Sequence, residues 1–304
     1  MMVMAGRVCA GSRFLLLMAL AAVVISGCAP EVRQDVDRGP GRPGDQAAWN
    51  TIRDLQNRRV DQLERFSSAG TLTITLADGE EVDREQADHR IWRSGPSRAA
   101  IRVSKLGTSI MTAAWNGPRW WMFDERRDEV VLRIHPVEPP GAGDGEAAFL
   151  SPPTLFAMLG LLRFPDSMPP DLMIFDEGCR FSLGSIDWGI GAAPLPLRGG
   201  IEIELGSPRD GPTSVRMIGD ADEEIARATL SRFDSVDRIG SPPGDWPILP
   251  RRVEVRRGAG DRLVMSFDAP VANGRVSDRL FDLDAQIRRS EPAIIEDDTL
   301  RSSD

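Results

Sequence analysis

The sequence predicts a mainly β protein with a few helices, organised around a strongly curved antiparallel sheet. Three observations predict it. Apolar and polar residues alternate with period two from Thr71 onward, as on half-buried strands. Short alternating runs are separated by turn residues such as Asp78-Gly79 and Asn116-Gly117, where positive φ is tolerated. Helical spacing is confined to two stretches, which is too little for a helical bundle or a parallel α/β fold.

In chain order, the first element is an export signal. Arg7 and Arg13 give a positive start, and no acidic residue precedes Glu31. Phe14 to Ile25 is unbroken apolar sequence, shorter than the ~20 residues a membrane-spanning helix needs and right for a signal core. Ile25-Ser26-Gly27-Cys28 follows. This matches the bacterial lipobox, which implies cleavage after Gly27 and a diacylglycerol thioether on Cys28; the alternative is an ordinary secretory signal with a chance cysteine. Residues 1–27 are thus expected to be signal peptide and 28–45 a lipidated tether. The tether's Gly39-Pro40-Gly41-Arg42-Pro43-Gly44 run suits a flexible linker.

A β domain is expected over residues 46–290. It opens with a helix from about Ala47 to Ser67, in which Trp49, Ile52, Val60, Leu63 and Phe66 recur at near-helical spacing before Gly70. Leu72, Ile74 and Leu76 then alternate with threonines, and a more polar strand runs to Arg93. Strands at Ala99 to Lys105, Ser109 to Trp115, Trp120 to Asp124 and Glu129 to His135 follow, and Pro136 to Ala148 reads as a loop. Pro152 to Leu162 is a helix, prolines suiting its first turn and apolar residues nearly all round implying burial. Further strands are read at Leu172 to Phe175, Arg180 to Ile186, Ile201 to Leu205, Ser214 to Ile218, Ile225 to Phe233, Arg251 to Arg257 and Arg262 to Phe267. Residues 291–304 are polar and acidic and are expected to be a disordered tail.

Charge and cysteine content narrow the function. The net charge is −9, and loss of Arg7 and Arg13 with the signal makes it more negative. An acidic body argues against nucleic acid as a partner and against adhesion to anionic headgroups through a basic patch. After Cys9 leaves and Cys28 is lipidated, Cys179 alone remains, so no internal disulfide can form. Its setting between Gly178 and Arg180 suits a small strand residue better than a nucleophile. His89 and His135 are isolated, so with one cysteine they make no metal-ligand spacing. No nucleophile elbow, phosphate loop or dinucleotide fingerprint occurs. Acidic pairs such as Glu80-Glu81 and Glu223-Glu224 sit beside turns, where solvated charge explains them. No catalysis, cofactor or metal is expected.

The stretch Arg98 to Val131 is the most informative. Gly95-Pro96-Ser97-Arg98 leads into Ile101-Arg102-Val103, then come Asn116-Gly117, Trp121-Met122-Phe123-Asp124, a polar turn and Val130. This resembles the periplasmic lipoprotein carriers and receptors of the LolA and LolB type and the related RseB regulators. Asn116-Gly117 stands at the family's hairpin turn and Phe123-Asp124 where it commonly has Tyr-Asp. The helix near Ser151 to Leu162 falls at its lid-like insertion, and Arg279-Leu280-Phe281-Asp282-Leu283 where its last strand closes. The likeness spans roughly Ala47 to Leu283 and is tight only over Asn116 to Val130. No residue here can be assigned to the basic latch of the carrier's lid, and extra segments lie around Pro165 to Gly178 and Trp188 to Gly200.

The resemblance implies a half-barrel with an apolar cavity under a helical lid. If alternation holds, Leu72, Ile74, Ile101, Val103, Trp121, Phe123, Leu132 and Ile134 face that cavity and Leu155, Phe156 and Leu159 close it; the alternative is that they only make a solid core. The implied function is a membrane-anchored periplasmic lipoprotein holding a lipid or lipoprotein acyl chain, with the membrane as a partner through Cys28. The alternative is an envelope sensor or scaffold of the same fold acting through a protein partner. Ala29 is not the aspartate that retains some lipoproteins in the inner membrane, which favours the outer membrane facing the periplasm.

Overall fold

The computed structural model describes residues 39–78, 81–126, 129–137, 151–186, 195–207, 209–258 and 260–300. Cys28, the expected signal, most of the tether and most of the Pro136 to Ala148 loop lie outside the described residues. Pro40–Asp304 forms one compact unit.

Its elements are β1 (Arg42–Pro43), α1 (Gln46–Gln62), β2 (Arg65–Asp78), β3 (Glu81–Ser94), β4 (Arg98–Lys105), β5 (Thr108–Asn116), β6 (Arg119–Asp124) and β7 (Val131–Pro136). These are followed by α2 (Pro152–Met158), β8 (Met173–Phe175), β9 (Gly178–Ile186), β10 (Leu195–Ser207), β11 (Gly211–Ile218), β12 (Glu224–Ser235) and β13 (Asp237–Arg238). The chain ends with β14 (Ile248–Arg257), β15 (Asp261–Ala272), α3 (Leu283–Ser290) and β16 (Ile294–Asp297). The strands form one sheet in the order β1-β8-β9-β10-β11-β12-β14-β15-β2-β3-β4-β5-β6-β7-β16. Pairing is antiparallel except that β13 joins β15 and β16 joins β7 in parallel.

The mainly β architecture with few helices agrees with the sequence; the half-barrel does not. The strand order is a path with two free ends, and the sheet is neither closed nor strongly curled. The physical reason lies in what covers it. A sheet must curl on itself only when nothing else buries its apolar side, and here other elements lie on both sides. The first face carries α1, α2 and residues 159–172, and its side chains join theirs in one large core. Part of the second face is covered by a 3-10 turn at Asp278–Phe281 and by α3, which bury a smaller cluster.

Local chemistry sets the helix boundaries. Asp45 caps α1 by accepting from the Ala48 amide at 2.8 Å. Trp49, Ile52, Gln56, Arg59 and Val60 make its buried side, and Trp49 packs edge-on to Phe181 at 5.0 Å. The helix stops at Leu63 rather than Ser67. Phe66 follows Leu63 by three residues, which fits a helix, but it also precedes Ser68, Gly70 and Leu72 by twos, and it belongs to β2. Ser151 caps α2, Pro152 and Pro153 fill its first turn, and Gly160 ends it at φ +67°. A side chain at Gly160 would meet Pro212 at 2.8 Å as well as the positive φ.

Two expectations for the C-terminal part are corrected. Residues 279–283 form the 3-10 turn and the start of α3 rather than closing a strand, because Asp282 caps α3 through the Ala285 amide at 3.0 Å. Ile294–Asp297, expected in a disordered tail, forms β16, since its backbone completes the open edge of β7.

Candidate functional site

The candidate site is a pocket of about 570 Å³ at one end of the first face, where the β2–β3, β4–β5, β6–β7 and β14–β15 hairpin tips converge. Sheet register builds its floor. Leu263 lies opposite Ile74, and Val103 opposite Met111. With Leu72 and Met122 these give an apolar floor from five strands, β15, β2, β4, β5 and β6. The volume lies in the range of small-molecule sites, which are concave and mostly apolar with a few polar groups.

The mouth is charged and balanced in sign. Asp83, Glu85, Asp124 and Asp261 line it together with Arg126, Arg133, Arg257 and Arg262. Asp124 is the best-defined group. Its carboxylate accepts from Arg126 Nε at 2.9 Å and Arg126 Nη2 at 2.8 Å, and from the Arg126 amide at 3.2 Å. Arg133 Nη1 stands 3.8 Å away. The Arg126 side-chain hydrogen bond, above all, holds the Asp124 carboxyl below its ordinary range. The Asp of the Phe123-Asp124 motif therefore ties down the β6–β7 turn and presents its charge beside an apolar floor.

The structure divides the eleven expected cavity residues. Leu72, Ile74 and Val103 line the pocket. Ile101 shares their face within the large core. Leu155, Phe156 and Leu159 also belong to that core, where Phe156 packs against Phe66 at 6.1 Å. Trp121, Phe123, Leu132 and Ile134 point to the second face and pack around Phe281.

Sequence reasoning missed Met111, Met122 and Leu263 and the charged mouth. Trp120 to Phe123 is apolar at every position, so alternation alone gives no phase. The hairpin turn does: with Asn116 opposite Arg119, Ala113 falls opposite Met122 and Ala114 opposite Trp121. Counting back across β4 then puts Met122 on the face of Ile101.

Among the described residues no group of three or more His, Cys, Asp or Glu could hold a metal ion. None of the described helices is long and apolar enough to cross a membrane. Cys179 is buried in β9.

No family model and no curated protein sequence matches the chain. Solved structures do. A LolA superfamily protein from Nitrosomonas europaea superposes with a TM-score of 0.50 at 10% identity, covering 77% of this chain and 98% of that one. The chain has a LolA-like fold. A DUF1329 family protein from Desulfovibrio piger gives a TM-score of 0.48 at 14% identity, covering 78% of this chain and 98% of that one. An outer membrane lipoprotein-sorting protein domain from Vibrio parahaemolyticus gives 0.45 at 9%, covering 77% and 95%. At these identities the likeness concerns the fold.

Proposed function

We propose that the protein is a non-catalytic, lipid-anchored lipoprotein of the bacterial envelope that holds an acyl chain of a lipid or lipoprotein in the hairpin-tip pocket. The observation that carries the reading is the pocket's make-up, an apolar floor of Leu72, Ile74, Val103, Met111, Met122 and Leu263 under a charged mouth. An acyl chain gains roughly 0.8 kcal/mol for each CH₂ removed from water, so the floor suits the tail while the mouth suits a polar head. The LolA-like fold supports an envelope role, as does the lipobox ending at Cys28. Transfer to a partner would need only a second cavity of higher affinity, with no covalent step.

The test is binding of a fluorescent fatty acid. The wild-type protein should bind it saturably, Met122→Asn should bind at least about tenfold more weakly, and Trp121→Phe on the opposite face should bind normally. Absence of saturable binding by the wild type, or normal binding by Met122→Asn, would sink the acyl-chain reading. The anchor is tested by labelled palmitate, which should enter the wild-type chain and not Cys28→Ser.

A further inference from the structure

The second face carries an arrangement that meets the pocket at Thr75 and Arg262 and runs on well beyond it. Residues directly opposite on neighbouring antiparallel strands point to the same side. By that rule Arg262 of β15, Arg256 of β14, Arg227 of β12 and Arg216 of β11 stand in one unbroken row across four strands. On the other side of Arg262 the row continues through Thr75 of β2 to Arg84 of β3. With strands spaced about 4.8 Å, the four arginines span roughly 14 Å and Arg84 lies some 10 Å further on.

Like charges directly opposite one another destabilise a sheet. Three glutamates partly offset this row. Glu254 takes Arg262 at 2.7 Å and Arg256 at 2.8 Å, and Arg252 stands 3.6 Å from it. Glu224 takes Arg227 at 2.7 Å and Arg216 at 2.8 Å, and Glu202 takes Arg216 at 2.5 Å. Burial alone would raise Glu254 and Glu224, but the arginine hydrogen bonds outweigh it and hold both below their ordinary range. Asp88 opposite Thr71 and Glu204 opposite Ser214 share this face, so six arginines (84, 216, 227, 252, 256 and 262) meet five carboxylates, and the positive excess is concentrated in the row itself, on a chain whose total is −9. The excess is accessible: Arg256 is 66% exposed, and Arg227 and Arg262 are each 40% exposed.

We propose that this arginine row is a docking surface for an anionic lipid bilayer. Charge complementarity requires an anionic partner, and the form of the face selects which kind. Thr71, Thr73, Ser266, Ser214 and Thr229 fill most of the neighbouring positions around a half-buried Val264, so the face has no aromatic or extended apolar centre of the kind that anchors a protein partner. Strands β11, β12, β14, β15, β2 and β3 are each hydrogen-bonded on both sides, so a peptide cannot add to the sheet there. A broad, open, cationic and hydroxyl-rich surface instead matches a layer of laterally mobile phosphates, which guanidinium groups engage in pairs of hydrogen bonds. The negative whole-chain charge concealed this face because acidic residues elsewhere outnumber it.

The experiment uses the compact unit Pro40–Asp304, which contains the whole described sheet and its helices and lacks the lipid site. It is co-sedimented with vesicles of equal parts phosphatidylglycerol and phosphatidylcholine, and with pure phosphatidylcholine vesicles. Binding is expected only to the first, weakening as salt shortens the screening length to about 10 Å or less. The double variant Arg84→Gln/Arg256→Gln leaves Glu254 its Arg262 partner and should bind on the order of 25-fold more weakly, about fivefold per arginine. Glu224→Gln frees Arg227 and leaves Arg216 on Glu202 alone, and should bind several-fold more tightly, a gain that misfolding cannot imitate. Equal binding to both vesicle types, or unchanged binding by the double variant, would overturn the proposal. So would absence of vesicle binding alongside saturable binding of polyglutamate, which would make the partner an acidic polypeptide.

Discussion

The two ends of the first sheet face are made from the same kinds of residue and do different things. At one end Phe66, Phe181 and Leu230 meet Trp49, Phe156 and Leu159 from α1, α2 and the turn after it, and the space is filled. At the other, Leu72, Val103, Met111 and Met122 floor a pocket of about 570 Å³. Alternation decides which side of a strand is apolar. It does not decide whether another element covers that side, which depends on where a helix is delivered. In this chain α2, which the sequence suggests as a lid, is fixed in the core at the closed end.

The sharpest test of that contrast pairs Phe156→Ala with Met122→Ala. Phe156 is 2% exposed and packed against Phe66, so truncation leaves a void that the rigid surroundings cannot fill and should cost ~3–5 kcal/mol. Met122 borders space already open to water, so its truncation should cost about 2 kcal/mol, the low end for Met→Ala. Denaturant midpoints at unchanged slope measure both. Equal losses would show that the pocket end is packed as tightly as the helix end.

How much of this was legible in the sequence follows from the same contrast. Period-two runs and turn residues located most strands, and the prolines before Thr154 located α2. Sheet curvature was not legible, because it depends on what packs against the sheet rather than on any strand's own pattern. The facing of Trp121 and Phe123 was read wrongly as to side, since Trp120 and Met122 are equally apolar and only the hairpin register separates the pairs. The arginine row was hidden for a related reason. Arg216, Arg227, Arg256 and Arg262 are scattered in sequence, and register alone brings them into line.

A somewhat smaller effect is expected at Arg59, which locks the closed end. Its guanidinium is buried between α1, α2 and β14, donating to Gln56 Oε1 at 3.2 Å, to the Ile248 carbonyl at 3.3 Å and to the Gly160 carbonyl. Burial, reinforced by nearby Arg93, lowers its pKa to about 10, which leaves it charged at neutral pH. Arg59→Met keeps most of the volume but strands those acceptors, and should cost about 2–3 kcal/mol. Hydrogen exchange should then accelerate in α2 while β4 and β5 amides near the pocket keep their protection. Uniform acceleration across both ends would mean that they unfold as one unit and that the contrast is only one of packing.

The smallest expected effect concerns His89, which lies between the two ends on β3. Gly70 opposite it has no side chain, and this gap lets His89 Nε2 reach across β2 to donate to the Ser266 carbonyl at 3.0 Å. The ring stands edge-on to Phe267 at 5.3 Å, and Nδ1 is buried without a hydrogen-bond partner among the described residues. Burial lowers its pKa; the Ser266 hydrogen bond, Asp268 and Asp88 oppose that and do not overcome it. The folded state therefore binds this proton less readily than the unfolded chain does. Stability from this group is complete above the unfolded value of about 6.5 and is lost as pH falls from there toward the folded pKa. Carboxylates such as Asp124 and Glu254, whose folded pKa values are depressed, act in a separate window that opens only below about 4.5. Unfolding free energy measured from neutral pH down to about pH 5 should thus fall for the wild type and stay nearly level for His89→Gln. The same slope in both proteins would place the responsible titration elsewhere and leave His89 as packing alone.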